Sequence, residues 1–298
     1  MRILLTGSKG QLGKSIQVTA PNQIGEESLE ILATSRDDLD LRNEKACIEI
    51  IEKFLPDWVI NAGAYTNVDQ AESQPELAIA INSKAPEAFS KALLNTGGNL
   101  LQLSTDNVFD GQQDIPYKTN QCRKPLNTYG TSKAMGESLV EDLLFESGQG
   151  TILRTSWVLS PYENNFLQKI LQFHKNKIDC KVVADQVGCS TSSLTLAKTC
   201  WRIIELKNTK NFVYPILHCC DKGMTNWFEI ALAIGQISKK IGLINETTEV
   251  QPILSIDFVS PAVRPKYSLL DCKQSLENLR IEAVYWQSAI ESILKVCV

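Results

Sequence analysis

Arg2-Ile3-Leu4-Leu5-Thr6-Gly7-Ser8-Lys9-Gly10-Gln11-Leu12-Gly13 opens the chain as an apolar run of strand length that meets a Gly-x-x-Gly-x-x-Gly turn. Strand, glycine turn and helix in immediate succession begin a βαβ unit of the dinucleotide-binding kind. Glycine at these positions permits a tight turn, close approach of the backbone to a pyrophosphate and close packing of helix on strand, while the helix N-terminus faces the anion. Two residues separate the first two glycines, where the stronger fingerprint has one, so a bare turn competes with a nucleotide site; the position directly after a strand favours the site. Gly7, Gly10 and Gly13 are therefore candidate cofactor residues.

Working outward, Leu29–Thr34 reads as the next strand. At its end an acidic residue would hydrogen-bond the ribose 2′-hydroxyl of NAD, but Ser35 and Arg36 stand there. A hydroxyl and a cation suit a 2′-phosphate, whereas Asp37 and Asp38, which follow at once, leave a solvated charged loop as the alternative. Glu44–Phe54 has helical spacing, and Trp58–Thr66 is a buried-strand pattern ending in small residues that leave room for a ligand. Ala78–Leu94 reads as a helix with Asn82 and Lys84 as polar exceptions, stopped by Gly97-Gly98. The strand Leu100–Leu103 ends in Ser104-Thr105-Asp106, at the carboxyl end where open α/β sheets place ligands; capping of the following turn by Ser104 or Asp106 competes. With Thr151–Arg154 as a further strand, the alternation predicts an α/β fold, a doubly wound parallel sheet of Rossmann type, with residues 1–155 as a dinucleotide-binding domain.

Beyond Thr155 the pattern loosens. Helices are expected over Asn165–Phe173, Leu194–Glu205 and Trp227–Ile241, a short strand at Lys181–Val183, a loop at Asp185–Thr191 and a closing helix after Pro265. The apolar run Phe212–Cys219 suits a return to the sheet, so residues 210–220 are assigned to the first domain and 156–298 mainly to a smaller, interleaved substrate lobe.

Pro125-Leu126-Asn127-Thr128-Tyr129-Gly130-Thr131-Ser132-Lys133-Ala134-Met135-Gly136-Glu137 supplies the chemistry. In a helix Tyr129 and Lys133 share a face, and a fixed cation beside a phenol favours the phenolate and draws its pKa down toward working pH. Tyr-x-x-x-Lys also occurs on ordinary surface helices, so the pair needs its surroundings to give it meaning.

Composition narrows the alternatives. A chain of 298 residues, 43% apolar, can bury a full core, and a net charge of −4 provides no footprint for nucleic acid or an anionic membrane. Met1 leads straight into the first strand without a basic and apolar leader, and no run approaches a membrane span, so a cytoplasmic location is expected. The nine cysteines are scattered and lack Cys-x-x-Cys spacing, which indicates neither a disulfide framework nor a zinc site. His174 and His218 are the only histidines and neither lies in a hydrolase-like motif.

Gly7/Gly10/Gly13, Ser104-Thr105-Asp106 and Tyr129-x-x-x-Lys133, in this order, make the sequence resemble the extended short-chain dehydrogenase/reductase superfamily. Asn61-Ala62-Gly63-Ala64-Tyr65-Thr66-x-Val68-Asp69-x-Ala71-Glu72, Ser104-Thr105-Asp106-x-Val108-Phe109, Arg154-Thr155-Ser156-Trp157-Val158, Asn164-Asn165-Phe166 and Arg264-Pro265-x-x-Ser268 are similar to motifs of the dTDP-4-dehydrorhamnose reductases within it. The resemblance spans nearly the whole chain. It implies a dTDP-linked keto-sugar substrate, dTDP-6-deoxy-L-lyxo-4-hexulose, reduced at its 4-keto group by NADPH or NADH. It further implies Tyr129 as proton donor, Lys133 as the group that holds the nicotinamide ribose and tunes the phenol, and Thr105 steadying the carbonyl. By the same resemblance Gly10, Gln11 and Leu12 face the pyrophosphate, Asp40 and Leu41 the adenine end, and Ala64, Tyr65, Thr66 and Leu103 the middle of the cofactor, while Asp106 and Trp157 contact the sugar nucleotide.

Two positions depart from the family pattern. Ser190 stands where a proline usually precedes Thr191, and Lys14-Ser15 stands where some members carry a carboxylate implicated in metal-bridged pairing. No metal is expected, and oligomeric state stays open between monomer and homodimer. Other readings of the same residues are another nucleotide-sugar reductase or epimerase, and a non-catalytic NADP-binding regulatory subunit; the intact Thr105, Tyr129 and Lys133 argue for catalysis. Arg36 tilts the cofactor expectation toward NADPH.

Overall fold

The computed structural model describes residues 1–162 and 165–297. Asn164 of the family-like motif lies outside them. Six strands, β1 (Arg2–Thr6), β2 (Glu30–Thr34), β3 (Trp58–Asn61), β4 (Asn99–Thr105), β5 (Gly150–Thr155) and β6 (Ile216–Cys219), form one parallel sheet in the order β6-β5-β4-β3-β1-β2. The order reverses between β1 and β3, and open α/β sheets take their ligands in a crevice outside the strands' carboxyl ends at such a switch point. The apolar run before Cys219 lies at the sheet edge, with Ile216 opposite Ile152.

Both faces of the sheet are covered, which is why its strands read as nearly continuous apolar runs. Alternation sends Ile3, Leu5, Ile60, Leu101 and Leu153 to one face, where they pack on Ile16 of α1 (Gln11–Val18) and on Leu196, Trp201 and Ile204 from the helix Ser193–Asn208. Leu4, Val59, Leu100 and Ile152 point to the other, against α2 (Glu44–Phe54), α3 (Ala85–Thr96) and α4 (Thr128–Leu144). A third core belongs to the C-terminal part, where α5 (Phe166–Lys175), α6 (Trp227–Lys240) and α7 (Trp286–Val296) bury Leu167, Ile170, Ile230, Ile234, Ile290 and Ile293.

Two expected helices are divided. The run expected over Ala78–Leu94 starts at Pro75 and widens into a π turn at Ala80–Lys84 before resuming as α3. There α4 approaches so closely that a Cβ on Gly136 would stand 2.1 Å from the Asn82 carbonyl oxygen. The closing segment is two helices, Lys273–Leu279 and α7, separated where Arg280 adopts a left-handed φ of +53°. Among the described residues no helix is long and apolar enough to cross a membrane, and no group of three or more His, Cys, Asp or Glu could hold a metal ion. The nine cysteines are free thiols, five of them buried and only Cys122 exposed.

Candidate active site

The crevice begins at the glycine turn. Gly7 has φ +67°, and a Cβ there would stand 2.7 Å from the Cα of Gly63; a Cβ on Gly13 would meet the Gly7 carbonyl oxygen at 2.2 Å. Gly10, whose N–H donates to the Gly7 carbonyl (2.9 Å), is the N-cap of α1 and offers no side chain to its first N–H groups. The result is a turn packed backbone to backbone, with no room for a side chain at Gly7 or Gly13 and bare N–H groups at the start of α1, the form that suits a pyrophosphate. Gln11 accepts from the Ser160 hydroxyl (2.9 Å), and Leu12 packs against the sheet.

At the end of β2 the loop's carboxylates are already engaged. Asp37 pairs with Lys9 (2.7 Å), Asp38 accepts from the Ser35 backbone N–H (2.8 Å) and hydroxyl (2.7 Å), and Asp40 takes the Arg42 guanidinium (Nε–Oδ2 2.8 Å). The Ser35 bonds hold Asp38, and the Arg42 bonds hold Asp40, below the usual carboxylate range. Arg36 is exposed and, among the described residues, has no ion pair or side-chain hydrogen bond. The acidic neighbours that blurred the sequence reading are thus spoken for, and the Arg36 cation is uncommitted. Leu41 packs toward the cradle, its Cδ1 placed 2.7 Å from where a Gly63 Cβ would stand.

Beyond β3, Ala64 and Tyr65 are half-buried and Thr66 is exposed. The Tyr65 backbone is clamped by Asn82, whose Oδ1 accepts from Tyr65 N–H (2.9 Å) and whose Nδ2 donates to the Tyr65 carbonyl (3.0 Å) and the Ser132 hydroxyl (3.0 Å). Asn82 therefore ties this loop to α4. Sequence reading had it only as a polar exception on an apolar helix, and that irregularity was its signal.

Asn127 caps α4 by accepting from Gly130 N–H (2.7 Å), which sets Tyr129 in the first turn and Lys133 one turn later. Lys133 is 4% exposed and donates to the Leu103 carbonyl (2.6 Å); burial lowers its pKa to about 8. The phenol departs from expectation. Burial pushes Tyr129 up to about 12, the Thr105 hydroxyl opposing and the Asp106 charge adding to the rise. Desolvation of the phenolate is the largest effect on Tyr129, which therefore keeps its proton at neutral pH in the unliganded chain.

Thr105 ends β4 and caps the next turn itself, accepting from Asn107 N–H (3.2 Å) and donating to Asp106 Oδ1 (3.0 Å). Asp106 is 2% exposed; burial pushes its carboxyl up against hydrogen bonds from Ser268, Thr105 and Asn107. This geometry turns Asp106 inward, where it reaches the site by orienting Thr105. Trp157 sits in a left-handed conformation, φ +45°, and its indole stacks on Trp227 at 4.3 Å and 22°. Gly188 lies beneath it, where a Cβ would approach Cζ2 to 2.7 Å. A bulky residue with positive φ carries strain that the surrounding packing must hold, a device that recurs at ligand sites.

The two halves of the chain are clasped across the crevice by Asp69 and Arg264 (Oδ2–Nη2 2.9 Å), with the Ser260 hydroxyl on the same carboxylate (2.6 Å). The Arg264 bonds lower Asp69 to about 2. At the two positions that depart from the family pattern, Ser15 bonds Ser193 (2.8 Å) in the interior and Lys14 lies over the Tyr162 ring (5.3 Å).

The family model described as RmlD substrate binding domain matches residues 1–298. The dTDP-4-dehydrorhamnose reductase of Aggregatibacter actinomycetemcomitans is 35% identical, the match covering 98% of each chain. That of Salmonella typhimurium is 32% identical over 99% of this chain and 97% of its own. Among solved structures, the dTDP-4-dehydrorhamnose reductase of Bacillus anthracis in complex with NADP superposes with a TM-score of 0.88 at 30% identity, covering 99% of both chains.

Proposed function

The chain belongs to the RmlD substrate binding domain family, and from that membership we propose that it reduces the 4-keto group of dTDP-6-deoxy-L-lyxo-4-hexulose to dTDP-L-rhamnose with NADPH. The observation that carries the reading is the docking of α4 on the carboxyl end of β4, where Lys133, one turn after Tyr129, donates to the Leu103 carbonyl two residues before Thr105 (2.6 Å).

The glycine cradle fits a pyrophosphate and the uncommitted Arg36 fits a 2′-phosphate. In this reading Gly7, Gly10, Gln11, Leu12 and Gly13 hold the pyrophosphate, and Asp40 and Leu41 the adenine end. Ala64, Tyr65, Thr66 and Leu103 line the middle, and Lys133 with Tyr129 the nicotinamide ribose. When bound, NADPH supplies the hydride.

The chain's own part is to manage the charge that grows on the carbonyl oxygen. Tyr129 keeps its proton at working pH, and an alkoxide is a stronger base than a phenolate, so the proton passes from phenol to substrate oxygen. Lys133 stabilises the phenolate left behind. Thr105 rests with its one proton on Asp106 (3.0 Å) and turns it to the same oxygen when the carbonyl is seated, Asn107 Nδ2 keeping Asp106 bonded (3.1 Å); both donors then bind more strongly as charge develops than in the ground state. Trp157 offers a flat face to the sugar nucleotide.

We assign residues 1–155 with 210–220 to cofactor binding, 156–298 mainly to the sugar nucleotide, and the protein to the cytoplasm. Every group named comes from one chain, so monomer and homodimer both accommodate the reaction. Oxidation of NADPH on addition of the keto-sugar, followed by absorbance, with dTDP-L-rhamnose identified as product, is the test. A folded protein that binds NADPH but turns over no keto-sugar would instead be a binding subunit.

A further inference from the structure

The strand ends beneath the crevice carry a row of polar side chains that this mechanism leaves unused. Thr6, Asn61 and Gln102 are direct register partners on β1, β3 and β4, so they project from the same face of the sheet, the one that packs α4. Their exposures are 1%, 1% and 2%. Gly63 N–H donates to Thr6 Oγ1 (3.0 Å), Thr6 Oγ1 to Asn61 Oδ1 (2.6 Å), Asn61 Nδ2 to Gln102 Oε1 (2.7 Å) and Gln102 Nε2 to the Leu103 carbonyl (2.8 Å). Lys133 Nζ donates to that same carbonyl at 2.6 Å.

Polar groups buried in a central sheet cost stability unless bonded, and apolar residues would pack these positions with no such demand. The direction of the bonds is the informative part. Every donor points toward Leu103, so each bond polarises the next up to Gln102, whose amide then holds one lone pair of the Leu103 carbonyl and fixes the direction of the other, which Lys133 takes. The row starts at Gly63, which packs against Gly7 of the cradle, and ends at the lysine.

We propose that Thr6, Asn61 and Gln102 are positioning residues that fix the Leu103 carbonyl and through it Lys133, coupling the glycine cradle to the catalytic helix. The proposal rests on the assignment of Lys133 made above.

The test uses Gln102→Met, which keeps side-chain length and removes two links, and Thr6→Val, which is isosteric and breaks the far end. Each is measured in the native and in the Lys133→Met background, for kcat and KM of the keto-sugar at saturating NADPH, with thermal unfolding on the same samples. Gln102→Met is expected to lower kcat about tenfold and Thr6→Val about threefold, KM for the sugar staying unchanged, as a small displacement of a reacting-centre group does. In the Lys133→Met background both should alter the residual kcat less than about twofold, because residues that act through one group are not additive with its loss. Equal fold-losses in the two backgrounds, or a Gln102→Met enzyme with native kcat, would overturn the proposal. Full turnover by Lys133→Met alone would overturn the assignment of the lysine and the role of the row together. Should Gln102→Met not fold, the Thr6→Val pair decides.

Discussion

Arg154 grips Glu137 one helical turn beyond Lys133, Nη2 to Oε2 at 2.6 Å and Nε to Oε1 at 2.9 Å, with side chains 1% and 0% exposed. Burial alone would raise the Glu137 carboxyl; the Arg154 hydrogen bonds and charge outweigh it and hold Glu137 below its usual range. Arg154 also donates to the Thr119 carbonyl (3.0 Å) and lies over the Phe109 ring (5.2 Å). The pair fastens α4 to β5. Removing Arg154 leaves the buried Glu137 carboxylate with Arg123 Nη1 (3.1 Å) as its one remaining cation, so Arg154→Met should destabilise the fold by about 3 kcal/mol, the lower end of what breaking a buried pair costs. The double variant Arg154→Met, Glu137→Leu should recover most of that loss. Urea unfolding of the three proteins checks it, and an Arg154→Met protein as stable as its parent would contradict the account.

Tyr129→Phe should remove most turnover and leave cofactor affinity nearly unchanged. The hydroxyl is needed only where charge develops, whereas the ring still packs. A donor aimed at a developing oxyanion is typically worth ~10²–10³ in rate. Turnover and NADPH binding measured on the same variant test the assignment, which a fully active Tyr129→Phe enzyme would defeat.

Lys133 gives the reaction an alkaline limit. With its pKa lowered to about 8 by burial, the ammonium that stabilises the phenolate is lost as pH rises through that value. We expect kcat/KM to fall above about pH 8 with no matching loss of fold. A kcat/KM profile flat to pH 10, with circular dichroism unchanged, would remove the lysine's charge from the mechanism.

Legibility in the sequence followed the range of each interaction. The glycine turn, the hydroxyl and carboxylate at Thr105 and Asp106, and the spacing of Tyr129 and Lys133 are local patterns, and local patterns can be read one segment at a time. Strand order could not be read this way, because β6 meets β5 across some sixty residues of C-terminal chain. The Asn82 clamp, the Thr6–Asn61–Gln102 row and the Glu137–Arg154 pair join distant segments and left only an indirect trace. For Asn82 and for the row that trace was a polar residue interrupting an apolar run, as Gln102 stands among Leu100, Leu101 and Leu103. The Tyr129 pKa failed for a different reason. Spacing reveals a neighbouring charge but not burial, and here burial is the larger effect.

Arg36→Ala should separate the two nicotinamide cofactors. Asp37, Asp38 and Asp40 are each satisfied by another side chain or backbone group, which leaves Arg36 available for a 2′-phosphate. A charge-assisted contact contributes ~1.5–3 kcal/mol, so its loss should lower kcat/KM with NADPH roughly ten- to a hundredfold and leave NADH use nearly alone. Equal losses with both cofactors would place Arg36 in the support of the loop rather than in phosphate recognition.

Asp221 should impose a pH dependence on stability that runs opposite to that of a salt-bridged carboxylate. It is 4% exposed, its Oδ2 accepts from Ser192 N–H (2.7 Å), and its Oδ1 has no hydrogen-bond partner among the described residues. Burial raises its pKa to about 7, opposed by the Ser192 backbone and the Thr195 hydroxyl. In the unfolded chain an aspartate titrates near ~3.9. Between these values the folded state keeps a proton that the unfolded state has released, so stability falls as pH rises from about 4 to about 7 and is level beyond. The size of that fall is on the order of a few kcal/mol. Asp221→Asn carries no charge to desolvate, and its amide oxygen can still accept from Ser192. Relative to the parent, this variant should therefore gain stability steadily from pH 4 to pH 7 and hold the gain above it. Urea unfolding of both proteins at pH 4.5, 6 and 8 measures the difference, in which the titrations common to both cancel; a difference that stays constant across the three would mean that Asp221 remains ionised in the fold.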